Sequence, residues 1–177
     1  TALDDEQQRY VSSAREASAA LERSLRNNPL AAASESLDGL TESDLQRAEA
    51  CWQGRKIMLI EDDPVSTHLM TSLLQSWGVQ LSCVSTGQDG LMALQQSWDL
   101  ILLDGELPDY NAAEWLQVMK QLPAHACALQ GPVVVITAHD DAKHQALFQH
   151  ASFDPVLVKP VRRRQLLSVL TPLLRVH

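Results

Sequence analysis

The sequence predicts a doubly wound α/β domain, with helices on both faces of a parallel sheet, over its carboxyl-terminal two thirds. From Arg55 onward, short apolar runs alternate with amphipathic segments, which gives five strand-helix units in about 120 residues. The apolar runs lack alternating polar residues, as is typical of strands that are buried on both faces. Both observations favour a parallel sheet between two layers of helices.

The five predicted strands are the apolar runs at residues 56–61, 80–84, 99–103, 132–136 and 155–158. The predicted helices follow them, near residues 64–77, 87–97, 112–121, 140–150 and 161–174. The first helix has clear boundary signals, because Asp63 is suited to its N-cap, Pro64 fits its first turn and Gly78 ends it. Its expected apolar face consists of Leu69, Met70, Leu73, Leu74 and Trp77.

Residues 1–54 differ in composition from the rest of the chain. They contain ten alanines, no lysine and a net charge of −5, from five arginines and ten acidic residues. One apolar helical stripe ends at Asn27-Asn28-Pro29, and Thr41–Asp44 resembles the start of a second helix that ends at Gly54. We interpret residues 1–54 as a helical extension, a candidate contact with a second copy of the chain or with a parent domain, and residues 55–177 as the main domain.

The overall composition excludes several classes of protein. A net charge of −8 argues against a broad nucleic-acid surface, and Arg162-Arg163-Arg164 is the one basic cluster. No apolar stretch approaches the roughly 20 residues that span a bilayer. The three cysteines form no short paired motif, which favours reduced thiols in a cytoplasmic setting, and we expect Cys83 to be a core residue.

Chemically active side chains follow four of the five predicted strands. Glu61-Asp62 follow the first strand, Asp104 the third, Thr137 the fourth and Lys159 the fifth. The carboxyl ends of parallel strands converge on one crevice, so we expect these groups to lie together. Clustered carboxylates need a compensating cation, and oxygen ligands favour Mg²⁺. Each signal alone is weak, but their joint occurrence predicts a phosphoryl site with Asp104 as nucleophile.

Residues 55–175 resemble a receiver domain of two-component signalling, the module of response regulators and hybrid histidine kinases. The matching stretches, in family order and spacing, are KIMLIEDDP, LILLDGELP, VVVITA and VLVKP. The resemblance implies the flavodoxin-like (βα)5 fold with strand order 2-1-3-4-5. It also implies a phosphorelay function, with a histidine kinase or a histidine phosphotransfer protein as the partner.

The resemblance implies a role for each site residue. Asp104 corresponds to the phosphoacceptor. Glu61 and Asp62, with Asp62 favoured as a direct ligand, would bind Mg²⁺ together with Asp104 and the backbone carbonyl of Glu106. Thr137 corresponds to the switch hydroxyl and Lys159 to the phosphate-contacting lysine.

The sequence also departs from the family pattern. Val156 stands where the family usually has an aromatic residue, so a rotating ring that reports phosphorylation is absent. Asn111-Ala112 replaces the common Asp-Gly or Asn-Gly. His139 and Glu106 lie two positions beyond Thr137 and Asp104, where family members tune the lifetime of the phosphoryl group, so we expect His139→Ala to change autodephosphorylation.

Three functions stay open at this point. The first is a phosphoaccepting switch, and the second is a pseudo-receiver that binds proteins without being phosphorylated, which Val156 favours weakly. The third is a haloacid-dehalogenase-type phosphatase, which the position of the nucleophile on the third strand disfavours. The chain contains no kinase motifs, so we expect a signalling domain rather than a kinase. We expect either a lone receiver with an extension or the carboxyl-terminal receiver of a hybrid sensor kinase, in the cytoplasm or on the cytoplasmic side of a membrane sensor.

Overall fold

A five-stranded parallel sheet forms the centre of the described part of the chain, which in this computed structural model comprises residues 41–138 and 155–173. Its strands are β1 (Lys56–Ile60), β2 (Gln80–Val84), β3 (Leu100–Asp104), β4 (Val133–Thr137) and β5 (Val156–Val158). The helices are α1 (Glu42–Ala50), α2 (Pro64–Gln75), α3 (Gly87–Ala93), α4 (Ala112–Gln121) and α5 (Arg163–Leu173). The predicted helix near 140–150 and most of the predicted extension lie outside the described residues.

The strands lie in the order β2-β1-β3-β4-β5 and all neighbouring pairs are parallel. This confirms the predicted order and the predicted α/β class. The register pairs Ile60 with Leu103 and Asp104 with Ile136. The side chains at the carboxyl ends of β1 and β3 are therefore neighbours, and those at the carboxyl end of β4 come next.

The central strands are buried as the sequence predicts. All five residues of β3 and four of the five residues of β1 are buried, because helices cover both faces of the sheet. One core cluster contains Trp98 and Trp115, which pack with apolar side chains from β1, β3 and β4. Helix α2 begins as expected, since Asp63 accepts a hydrogen bond from the Ser66 N–H at 2.8 Å and Pro64 occupies the first turn.

Two predicted core residues lie at the surface. Leu69 of α2 is 64% exposed, although Met70, Leu74 and Trp77 are buried as predicted. The apolar stripe of this helix is wider than the surface that it buries, so its outer edge faces solvent. Cys83 is also exposed, because β2 is an edge strand and three of its five residues are exposed.

Helix α1 packs on the main domain. Leu45 and Trp52 are 2% and 1% exposed, and the helix contacts α5. The guanidinium group of Arg163 donates hydrogen bonds to Glu49 and, at 2.8 Å, to Glu42. The described residues from Glu42 onward form one compact unit. The predicted boundary at residue 54 and the predicted contact between two copies stay predictions.

Within the ranges 41–138 and 155–173, no helix is both long and apolar enough to cross a membrane.

Candidate functional site

Three carboxylates meet at the carboxyl ends of β1 and β3. Glu61 and Asp62 directly follow β1, and Asp104 is the last residue of β3. Each side chain offers an oxygen atom that lies within 4.8 Å of the others. Glu61 and Asp104 are only 4% and 7% exposed, whereas Asp62 is exposed. The cluster therefore has two buried acids and one acid that faces the surface.

Lys159 brings a positive charge to this cluster from the end of β5. Its ammonium Nζ lies 2.7 Å from Glu61 Oε2 and 3.0 Å from Asp104 Oδ2, and it donates a hydrogen bond to each. Partial burial lowers the pKa of Lys159, but the hydrogen bonds to Glu61 and Asp104 outweigh this effect and raise it above its ordinary value. The lysine is therefore charged at neutral pH.

A single lysine does not fully compensate the acids. Burial raises the pKa of Glu61 to about 7, and the nearby Asp104 adds to this shift while Lys159 opposes it. A further cation between Glu61, Asp62 and Asp104 would favour the ionised forms. The donor set consists of carboxylate oxygens, which are the ligands that Mg²⁺ prefers, so the residues present fit a hard divalent ion.

The backbone after Asp104 is fixed by hydrogen bonds at both ends. The Gly105 N–H donates to the Ile136 carbonyl at 2.8 Å, and the Glu106 N–H donates to Asp104 Oδ1 at 3.1 Å. The segment ends at Asn111, the N-cap of α4, which forms a reciprocal capping box with Glu114. We call residues 105–111 the acceptor loop.

Thr137 lies at the end of β4 and is 2% exposed. Its carbonyl oxygen accepts a hydrogen bond from the Lys159 N–H at 2.8 Å, so the two residues are directly joined through the backbone. Val156, three residues before Lys159, is half-buried and packs against the core cluster. His139 lies outside the described residues.

A groove of about 620 Å³ opens beside the acidic pair, between α2 and β2. Its lining includes Glu61, Asp62, Thr67, His68 and Asp89. On the other side of α2 a cavity of about 300 Å³ is bordered by Leu69, Met70 and Lys159. Open space therefore adjoins the site on two sides.

The structure thus brings Glu61, Asp62, Asp104 and Lys159 into one cluster and joins Thr137 to it through Lys159. The chemical roles of these residues, and that of the Glu106 carbonyl, remain proposals.

Sequence reasoning missed a contact that involves the acceptor loop. The carboxylate of Asp109 accepts hydrogen bonds from the N–H groups of Gly87 and Gln88, which begin α3. A loop aspartate that caps a helix 22 residues upstream leaves no local signal, because capping patterns link residues two or three positions apart.

Comparisons with known proteins identify the family of this chain. The family model described as the response regulator receiver domain matches residues 57–171. Among curated relatives, the sensor histidine kinase GacS of Pseudomonas protegens is 26% identical over 115 residues, which are 64% of this chain and 12% of that protein. The transcriptional regulatory protein CpxR of Escherichia coli K12 is 32% identical over 120 residues, which are 68% of this chain and 49% of that protein. The matched region is thus about half or less of these relatives' length.

Solved structures share the fold. A receiver domain of a sensor histidine kinase from Pseudomonas aeruginosa PAO1, described with a magnesium ion in its active-site cleft, has a TM-score of 0.60 and 23% identity, over 69% of this chain and 98% of that chain. A CheY-like receiver domain from Methanospirillum hungatei has a TM-score of 0.59 and 22% identity, over 70% of this chain and 95% of that chain. The family model covers well over half of the chain, and this chain belongs to the response regulator receiver domain family.

Proposed function

We propose that this chain is a phosphoaccepting receiver of a two-component phosphorelay and that Asp104 takes the phosphoryl group from a phosphohistidine. The observation that carries this proposal is the position of Asp104. Its carboxylate lies at a strand end, is 7% exposed, and is within hydrogen-bond distance of a lysine that also contacts a second acid. A carboxylate that is positioned beside a fixed cation is suited to attack phosphorus.

The charges around Asp104 support a role in phosphoryl transfer. In this proposal one Asp104 oxygen forms a bond to phosphorus while the bond between phosphorus and the donor imidazole nitrogen breaks. The nitrogen keeps the electron pair, so the products are an aspartyl phosphate and a free histidine. Lys159 already faces Asp104 Oδ2 and would balance the negative charge of the incoming oxygens.

The residues that would hold Mg²⁺ are Glu61, Asp62, Asp104 and the backbone carbonyl of Glu106. The ion would neutralise charge on the phosphoryl oxygens when it is bound. The chain itself contributes the orientation of its acids, since Glu61 Oε1 accepts a hydrogen bond from the Asp63 N–H at 3.2 Å and Asp104 Oδ1 accepts one from Glu106 N–H.

Thr137 is proposed as the switch residue. Its strand β4 pairs with β5, and its carbonyl accepts the Lys159 N–H, so a shift of either residue is transmitted to the other. Because Val156 replaces the usual aromatic residue, we propose that the readout depends on this backbone connection rather than on a rotating ring.

The donor protein is proposed to be a histidine kinase or a histidine phosphotransfer protein that docks against α2. Val65 and Leu69 lie one helical turn apart on this helix and are 65% and 64% exposed. Leu69 also borders the cavity that extends to Lys159 and Pro160. An apolar helix face on the donor would cover these side chains and bring its phosphohistidine towards Asp104.

We propose that this function operates in the cytoplasm. All three cysteines of the chain, Cys51, Cys83 and Cys127, are free thiols. Free thiols at or near the surface are typical of a reducing compartment.

A pseudo-receiver is the second candidate, and Val156 is the observation that favours it. The experiment that separates the two incubates the protein with Mg²⁺ and acetyl phosphate and measures the intact mass. The proposal expects one added phosphoryl group on the wild type and none on Asp104→Asn. The matched control is Asp89→Asn, which changes an exposed acid at the start of α3 and should still gain the group. No added mass on any protein would favour the pseudo-receiver, and equal labelling of Asp104→Asn would reject Asp104.

A further inference from the structure

The acceptor loop is attached to a second element, the amino terminus of α3. This attachment lies outside the sheet, because it joins the loop that follows β3 to the helix that follows β2. Two consecutive loop residues, Asp109 and Tyr110, make the contact, and both face the same glycine, Gly87.

Asp109 makes the polar part of this contact. Its Oδ1 accepts a hydrogen bond from the Gly87 N–H at 2.8 Å, and its Oδ2 accepts one from the Gln88 N–H at 2.9 Å. The first N–H groups of a helix have no partner within the helix, and the helix dipole favours a negative charge there. Desolvation acts to raise the pKa of Asp109, but the hydrogen bonds from Gln88 and Gly87 outweigh it and lower the pKa, so the carboxylate is ionised at neutral pH.

Tyr110 and Trp115 make the apolar part. A Cβ atom on Gly87 would lie 2.6 Å from Tyr110 Cδ2 and 3.0 Å from Trp115 Cδ1. The buried indole N–H of Trp115 also donates to the Gly87 carbonyl at 2.9 Å. Only glycine at this position leaves room for the two rings, so the start of α3 is shaped to receive the acceptor loop.

The contact is close to the proposed metal ligand. The Leu107 N–H donates to the Tyr110 carbonyl at 2.9 Å, and Glu106 pairs with Asn111 in an antiparallel bridge. Glu106 also donates its N–H to Asp104 Oδ1. A movement of Asp109 would therefore pass through a short, hydrogen-bonded loop to Glu106 and Asp104.

We propose that Asp109 is a positioning residue that fixes the acceptor loop, and with it the Glu106 carbonyl and the Asp104 carboxylate, for binding of a divalent cation and for phosphoryl transfer. This inference rests on the proposed function. We expect the fold to tolerate the loss of Asp109, because other contacts hold both ends of the loop. The Gly105 N–H bonds to the Ile136 carbonyl at one end, and Asn111 forms a capping box with Glu114 at the other. The aspartate is exposed, and its two hydrogen bonds act mainly on the middle of the loop.

The test compares the full-length wild type with Asp109→Ala, Asp109→Asn and the control Asp89→Ala. Asp89 is an exposed acid in the first turn of the same helix. It lines the groove beside the acidic pair but is not one of the three acids that meet at the proposed metal site. Its loss therefore gives the same change of charge without removing the contact. Two quantities are measured: the Mg²⁺ affinity by calorimetric titration, and the phosphorylation rate with acetyl phosphate as a function of Mg²⁺ concentration.

We expect Asp109→Ala to weaken Mg²⁺ binding roughly tenfold, the lower end of what the loss of a residue that orients metal ligands costs. The Mg²⁺ concentration for half-maximal phosphorylation should rise in proportion, and the melting temperature should change little. Asp109→Asn should recover part of the affinity, because its single amide oxygen can replace one of the two acceptors. Asp89→Ala should resemble the wild type.

Wild-type Mg²⁺ affinity and rate in a folded Asp109→Ala protein would overturn the inference, as would an equal loss in Asp89→Ala. If Asp109→Ala fails to fold, the same comparison is made with Asp109→Asn. The proposed function fails separately, when the wild type binds Mg²⁺ but takes no phosphoryl group, and the Mg²⁺ titrations then still decide the role of Asp109. A wild type that binds no Mg²⁺ would overturn both proposals.

Discussion

The ammonium group of Lys159 lies 3.0 Å from Asp104 and 2.7 Å from Glu61, so one cation joins the acids at the carboxyl ends of β3 and β1. Removing it as Lys159→Ala leaves two nearly buried carboxylates without their partner, which costs roughly 1–3 kcal/mol of unfolding free energy. We expect Mg²⁺ to stabilise this variant more than the wild type, because the ion would supply the missing positive charge. Urea denaturation with and without Mg²⁺ measures both effects.

The control for this prediction is Lys56→Ala, which removes an exposed lysine from the opposite end of β1. It should change the unfolding free energy little, with or without Mg²⁺. An equal response of the two variants to Mg²⁺ would contradict a specific role for the Lys159 ammonium.

A second prediction concerns the exposed apolar face of α2. Leu69→Glu places a charge where we propose that the donor protein packs, and should slow phosphoryl transfer from a phosphorylated donor protein roughly tenfold or more. The rate with acetyl phosphate should change little, because a small donor does not need a protein-docking face on α2. Paired rate measurements with the two donors check this.

Met92→Glu is the matched control for the docking face. Met92 is 58% exposed but lies on α3 instead of α2. It should leave both rates unchanged. A similar loss with Met92→Glu, or a loss with acetyl phosphate in Leu69→Glu, would argue against docking through α2.

The sequence predicts the sheet and its strand-end acids well because both are local signals. An apolar run that leads to Asp104 or to Lys159 can be recognised without knowledge of distant contacts. Because the carboxyl ends of parallel strands converge, these side chains are then expected to lie close together. The prediction that Leu69 belongs to the buried face of α2 was wrong. The sequence shows the width of an apolar stripe, but it does not show how much of that stripe a neighbouring element covers. The contact of Asp109 with Gly87 was missed because its partners are distant in the sequence.

A third prediction concerns the segment that leads into β1. Trp52 is 1% exposed, although it lies within residues 1–54, which differ in composition from the main domain. Trp52→Ala should lower the unfolding free energy by about 3–5 kcal/mol, since it removes a large side chain from a packed interior. Cys51→Ala, at the exposed neighbouring position, should have a small effect. Urea denaturation of both variants in the full chain distinguishes a structural segment from a loosely attached one, for which both losses would be small.

The last prediction is a pH dependence that arises between α1 and α5. The hydrogen bond from Arg163 lowers the pKa of Glu49 below its ordinary value of 4.5, despite the opposing effect of burial. A carboxylate with a depressed pKa stabilises the fold above the unfolded-state pKa, and this contribution is lost as the pH falls through the folded-state pKa. The unfolding free energy of Glu49→Gln should therefore be lower than that of the wild type by roughly 1 kcal/mol at neutral pH, a value that already allows for partial exposure. The difference should become smaller in acid.

Urea denaturation between about pH 3 and pH 7 measures the difference between the two proteins at each pH. Glu42→Gln is the matched control, because Glu42 contacts the same guanidinium but its side chain is 62% exposed, against 18% for Glu49. Its difference from the wild type should be smaller, because water screens an exposed pair more strongly. A difference for Glu49→Gln that stays constant over the whole range would mean that the charge of Glu49 does not stabilise the contact between α1 and α5.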